Sequence, residues 1–86
     1  MVTVFGRVQG VGFRYYAEKL GNSLGLNGYA KNQIDGSVLI EAEGDSRNLD
    51  LFIEKIKRGP SFAHVEQTAV QYDEYLGDLP AFEIRF

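Results

Sequence analysis

Apolar residues recur along the chain at two periods, and the change from one to the other marks out the elements. Val2, Val4 and Val8 punctuate a polar background at strand spacing over residues 1–8, until glycines at 6, 10 and 12 interrupt it. From Phe13 the spacing becomes that of a helix, with Phe13, Tyr16, Ala17, Leu20 and Leu24 on one face and Gly25 as the stop. Gly21 lies inside that run, at a cost of about 1 kcal/mol relative to alanine, so the position is expected to need close packing. Residues 28–32 and 37–43 read as a hairpin around the turn at Gln33, Ile34, Asp35 and Gly36, with Val38, Ile40 and Ala42 on one face. Asp45 is a candidate N-cap for a second helix with the stripe Leu49, Phe52, Ile53, Ile56, and Lys55, Lys57 and Arg58 precede its stop at Gly59-Pro60. Residues 63–72 form a fourth strand whose apolar phase slips between Val65 and Val70, which suggests a bulge. Phe82, Ile84 and Phe86 alternate in a short final strand. The order βαββαβ predicts an α+β fold, a ferredoxin-like α/β sandwich with an antiparallel sheet and two helices packed on one face.

Length and composition narrow the class. Eighty-six residues suit one domain, taken as 1–86, and Leu, Ile, Val and Phe supply 26 of them, enough for a core. With no cysteine there are no disulfides, thiolate nucleophiles or cysteine metal sites, and an unstapled chain suits a reducing cytoplasm. No apolar run approaches the roughly 20 residues of a membrane span, and no secretory leader is evident. The net charge of -3 is uneven: residues 1–32 hold four cations against one acid, and the remainder five against eleven. An acidic total argues against a general nucleic-acid binder, while the positive N-terminal part suggests a local anion site.

Two stretches have the equipment for chemistry. In Gly6-Arg7-Val8-Gln9-Gly10-Val11-Gly12-Phe13-Arg14, three glycines at a strand-to-helix junction let the backbone curl so that several N–H groups point inward around an anion. The helix N-terminus and the Arg14 fork would add to such a cradle. The same loop is equally readable as a tight turn that needs glycine for steric reasons alone. It lacks the spacing and the Lys and Ser/Thr of a nucleoside triphosphate loop. In the second stretch, residues 28–36, the Asn32 amide could hold a water without taking its proton, or could simply start the hairpin turn.

Together these stretches resemble the acylphosphatases. The first family signature, aliphatic-x-G-x-V-Q-G-V-x-F-R, runs from Val4 to Arg14 without mismatch, and Gly12 fills its variable slot. The second, G-aromatic-small-basic-N-x-x-x-G-x-V with a later glycine, is present as Gly28 through Val38 and Gly44. The resemblance implies hydrolysis of small acyl phosphates to carboxylate and inorganic phosphate, the latter a product or inhibitor. It implies no cofactor, no metal and no covalent intermediate. The phosphoryl group would be bound by the backbone of Gln9, Gly10, Val11, Gly12 and Phe13 and by Arg14, and Asn32 would orient the attacking water. A cytoplasmic monomer is expected, without nucleic-acid or membrane partners.

Two further expectations concern support of the site. The α-carboxylate of Phe86 is placed to hold Arg14, and Gln33 stands where the family often has a small hydroxyl residue. His64 reads as a surface or strand-edge residue, Asp35 as part of the turn, and Glu41 with Glu43 as a solvated face. Phe5, Phe13, Phe52, Phe62 and Phe82 read as core, and Tyr72, Tyr75 and Leu76 precede Pro80 in a loop that could edge the site. Competing readings are the phosphate- or carbamoyl-phosphate-binding module found at the start of hydrogenase-maturation carbamoyltransferases, and an RNA-recognition module. The first is disfavoured by the end of the chain at Phe86 with no zinc-finger cysteines following. The acidic pI of about 5.0 and the lack of an aromatic motif on the third strand weigh against the second.

Overall fold

Strand β1 (Val2–Arg7) leads through the glycine loop into helix α1 (Phe13–Ser23), in a computed structural model that describes residues 1–73 and 77–86. Strands β2 (Asn27–Asn32) and β3 (Val38–Glu43) form the hairpin, helix α2 (Ser46–Arg58) follows, and β4 (His64–Val70) and β5 (Glu83–Arg85) complete the order. The sheet runs β4-β1-β3-β2-β5.

The expected antiparallel sheet holds for four strands, since β1 pairs antiparallel with β3 and β4, and β2 with β3. β5 departs from it: it lies parallel to β2, with Ala30 opposite Ile84, so the sheet is mixed. The cause is the connection. A tight hairpin returns a strand antiparallel, whereas the long segment after β4 crosses to the far edge and enters in the direction of β2.

Both helices cover one face, where Val2, Val4, Ile40, Phe52, Ile56 and Phe82 are buried. The α1 face is centred on Phe13, Ala17 and Gly21, and α2 buries Phe52, Ile53 and Ile56, at about 2 kcal/mol of apolar burial per side chain. Gly21 proves to be a site of close approach: a Cβ there would stand 2.3 Å from Cδ2 of Phe82. α1 ends with Gly25 N–H donating to Asn22 and Leu26 N–H to Gly21, the paired closure that a left-handed residue at Gly25 permits. Asp45 caps α2, accepting from the N–H of Arg47 and Asn48.

The phase slip in β4 is a bulge. Phe5 faces Gln67 but Gly6 faces Val65, so Glu66 is the extra residue. Two of the five phenylalanines read as core are exposed, Phe5 and Phe62. Phe5 alternates with Val4 and so faces the side of the sheet that carries no helix, and Phe62 lies in the α2–β4 connection, outside any periodic element. Glu43 is tethered as well as solvated, its carboxylate accepting from the N–H of Gly77 and Leu79. His64 is exposed on an edge strand, as expected.

Candidate active site

The ends of β1 and β2 and the starts of β3 and β4 all lie at one end of the sheet, and the two signature stretches meet there. Val8, Gly10, Gly12, Phe13, Arg14 and Asn32 border a cleft of about 160 Å³, with Ile84 of β5 and Phe86 just after it on one side. Gly10 and Gly12 have φ of 73° and 82°, a left-handed backbone that side chains resist, and Gly12 is the N-cap of α1. No side chain caps α1 and no acid occupies its first turn. Among the described residues, none accepts a hydrogen bond from the N–H groups of Gln9 to Phe13. The loop therefore offers a row of free donors at the positive end of a helix.

Arg14 stands in the first turn. Its Nη1 donates to the carbonyl oxygen of Arg85 at 2.9 Å, and its guanidinium carbon lies 4.7 Å from the centre of the Phe86 ring. The expected partner, the Phe86 carboxylate, is replaced by the preceding carbonyl. A carbonyl takes one of the five N–H donors and leaves the positive charge unneutralised. Arg85 is itself fixed by its Nε bond to Glu83 at 2.9 Å and by stacking 4.0 Å over the Tyr29 ring.

Asn32 is the last residue of β2, opposite Val38. Its Oδ1 is buried without a hydrogen-bond partner, and Nδ2 is bonded to nothing among the described residues. The adjoining turn is strongly braced. Gln9 reaches across from the glycine loop, Nε2 donating to the carbonyls of Gln33 at 2.7 Å and Ser37 at 2.9 Å. Gln33 Nε2 donates to the hydroxyl of the buried Ser37 at 2.9 Å, and Asp35 accepts from both the N–H and the hydroxyl of Ser37. These bonds hold the Asp35 carboxyl below its ordinary pKa. Gln33, standing where the acylphosphatases often have a small hydroxyl residue, thus bonds to the hydroxyl of Ser37 instead.

The bracing side chain of Gln9, the carbonyl of Arg85 and the buried Ser37 escape a motif reading. Gln9 stands in the first signature for its backbone N–H alone, with no signal for the brace its side chain makes, and a carbonyl offers none. Tyr72 is not at the site: it lines a cleft at the opposite end of the sheet with Met1, Glu43 and Asp78. Tyr75 and Leu76 lie outside the described residues.

Fold and site together define a class: a ferredoxin-like sandwich in which a glycine loop, a helix N-terminus, an arginine and an asparagine surround one small cleft. Comparison with known proteins gives that class a family. The acylphosphatase family model matches residues 1–84. An acylphosphatase of Thermus thermophilus is 50% identical over 81 residues, covering 94% of this chain and 91% of its own. The crystal structure of acylphosphatase from Bacillus subtilis superposes with a TM-score of 0.93 at 39% identity, over 99% of this chain and 94% of that one. Full-length HypF, solved in a phosphate- and nucleotide-bound form, is also similar at 30% identity and a TM-score of 0.83; the match covers 99% of this chain and 11% of HypF. The chain belongs to the acylphosphatase family, and with it to the hydrolases.

Proposed function

We propose that the chain, acting as a single-domain cytoplasmic monomer, hydrolyses the carboxyl–phosphate bond of small acyl phosphates. One observation carries the reading: the glycine loop with its free N–H groups, the unneutralised fork of Arg14 and the unpartnered Asn32 amide border one cleft. The phosphoryl oxygens take the loop N–H groups and the remaining Arg14 donors, which neutralise charge that spreads over those oxygens in the transition state. Asn32 donates through Nδ2 to the oxygen of a water, fixing its position and leaving a lone pair for phosphorus. That oxygen bonds to phosphorus as the bond from phosphorus to the acyl oxygen breaks. The carboxylate leaves with the electron pair, and the water proton passes to a phosphate oxygen.

The leaving group explains the sparse equipment. A carboxylate with a solution pKa of about 4 departs without protonation, so the reaction needs neither a general acid nor a metal to stabilise an alkoxide. The decisive experiment follows benzoyl phosphate hydrolysis in EDTA for the unmodified protein, Arg14→Ala and Asn32→Ala. Turnover by the first and its loss in both variants is expected. Absence of turnover with inorganic phosphate still bound would make the chain an anion-binding module instead.

A further inference from the structure

Beside the cleft lies a groove that the proposed hydrolysis leaves unused. It runs between α1 and the α2–β4 connection, encloses about 450 Å³, and is walled by Tyr15, Tyr16, Lys19, Leu20, Ser23 and Phe62. Its two aromatic rims are open to solvent, Tyr15 and Phe62 each 56% exposed. Tyr16 is held in the floor by its hydroxyl, which donates to the Lys55 carbonyl at 3.3 Å.

Two facts join this groove to the cleft. Tyr15 borders both. Gly12 of the cleft also neighbours Phe62 of the groove, since a Cβ at Gly12 would meet Cε2 of Phe62 at 3.8 Å, ordinary van der Waals contact. The sheet order then fixes direction. Asn32 ends β2, on the β5 side of the glycine loop, whereas Phe62 lies two residues before the start of β4 at His64, on the other side of β1. In-line displacement at phosphorus places the attacking and leaving oxygens on opposite sides of the phosphoryl group. With the water at Asn32, the acyl oxygen points toward β4, and the acyl group beyond it toward Phe62.

We infer that this groove is the acyl subsite and that it selects acyl phosphates whose acyl group is apolar and ring-sized. The inference rests on the hydrolase reading above and adds the substrate class to it. Tyr15 already carries the Lys19 ammonium 5.4 Å from its ring centre. An acetyl group extends less far along this groove than a benzoyl ring, which offers an aromatic surface to Phe62. Aromatic contacts of this kind contribute about 0.5–1.5 kcal/mol, which converts to roughly a twofold to tenfold change in KM.

The test measures KM for benzoyl phosphate and acetyl phosphate with the unmodified protein, Phe62→Ala and Phe62→Leu, each checked for folding by its thermal transition. Phe62→Ala is expected to raise the benzoyl-to-acetyl KM ratio about fivefold, with Phe62→Leu restoring part of the preference. A ratio that neither variant changes, with both substrates turned over, overturns the acyl subsite alone. No turnover of either substrate by the unmodified protein overturns the hydrolase reading and the subsite with it.

Discussion

Arg14 is steered by a carbonyl and an aromatic face, and among the described residues no carboxylate forms an ion pair with it, which leaves its charge to a phosphoryl group. Arg14→Ala should therefore lower kcat/KM at least ~10²-fold and weaken inhibition by inorganic phosphate in parallel, as steady-state assays with phosphate titration would read. Asn32 differs. Its buried, unpaired Oδ1 carries a penalty of about 1–3 kcal/mol that alanine removes. Asn32→Ala is expected to cut kcat while phosphate inhibition stays near that of the unmodified protein and the melting temperature does not fall. A drop in melting temperature would count against the penalty. Asp35 offers a pH signature. Its carboxyl is held below its ordinary range chiefly by the Ser37 hydroxyl and then by the Ser37 N–H, so the folded state binds this proton less readily than the unfolded one. That stabilisation is present above an unfolded pKa of about 3.9 and fades as pH falls through the lower folded value. Urea midpoints measured from pH 5 down to pH 2 should fall less steeply in Asp35→Asn than in the unmodified chain.

At the scale of elements, α1 is locked to the segment entering β5 by Phe82, whose ring fills the space a side chain at Gly21 would need and lies tilted against Phe52 with centroids 5.5 Å apart. Gly21→Ala would gain about 1 kcal/mol in helix propensity but force the buried ring aside at about 1–3 kcal/mol. Net destabilisation of about 1 kcal/mol, or roughly 4–8 °C in melting temperature, is expected from thermal denaturation. The helices, the hairpin and the caps at Asp45 and Gly25 were legible because each rests on local spacing or on one residue's backbone freedom. Gly21 was legible as an anomaly, and its partner was not, since Phe82 lies 61 residues later in the chain. Period alone misplaced Phe5, because alternation says that two faces differ but not which face the helices cover. The direction of β5 depended on where a long connection crosses. Among site residues, Arg14 and Asn32 stood out through motif position, while the bond from Arg14 to Arg85 and the brace from Gln9 to the hairpin turn are products of tertiary approach.

Across the whole molecule, cations outnumber acids at the site end of the strands, which also holds the carboxylates of Asp35 and Glu83. Arg7, Arg14, Lys31 and Arg85 gather where β1, β2 and β5 end, and α2 delivers Lys55, Lys57 and Arg58 to the same end. Glu41, Glu43, Asp73 and Asp78 line the cleft at the other. A dianionic substrate is thus drawn toward one end of a molecule whose net charge is -3. Raising ionic strength from 0.02 M to 0.2 M should lower kcat/KM severalfold, mainly through KM, in assays at fixed pH. The bonds that frame the site also join distant parts of the chain. Arg14 and Arg85 are 71 residues apart, and the Met1 amine donates to Gln71 across 70. Contacts of such separation form only after long loops have closed, a search that slows folding far more than helix formation does. Activity recovered after dilution from denaturant would then return late, well after helical circular dichroism, and the binding arginine would be the last part of the site to find its place.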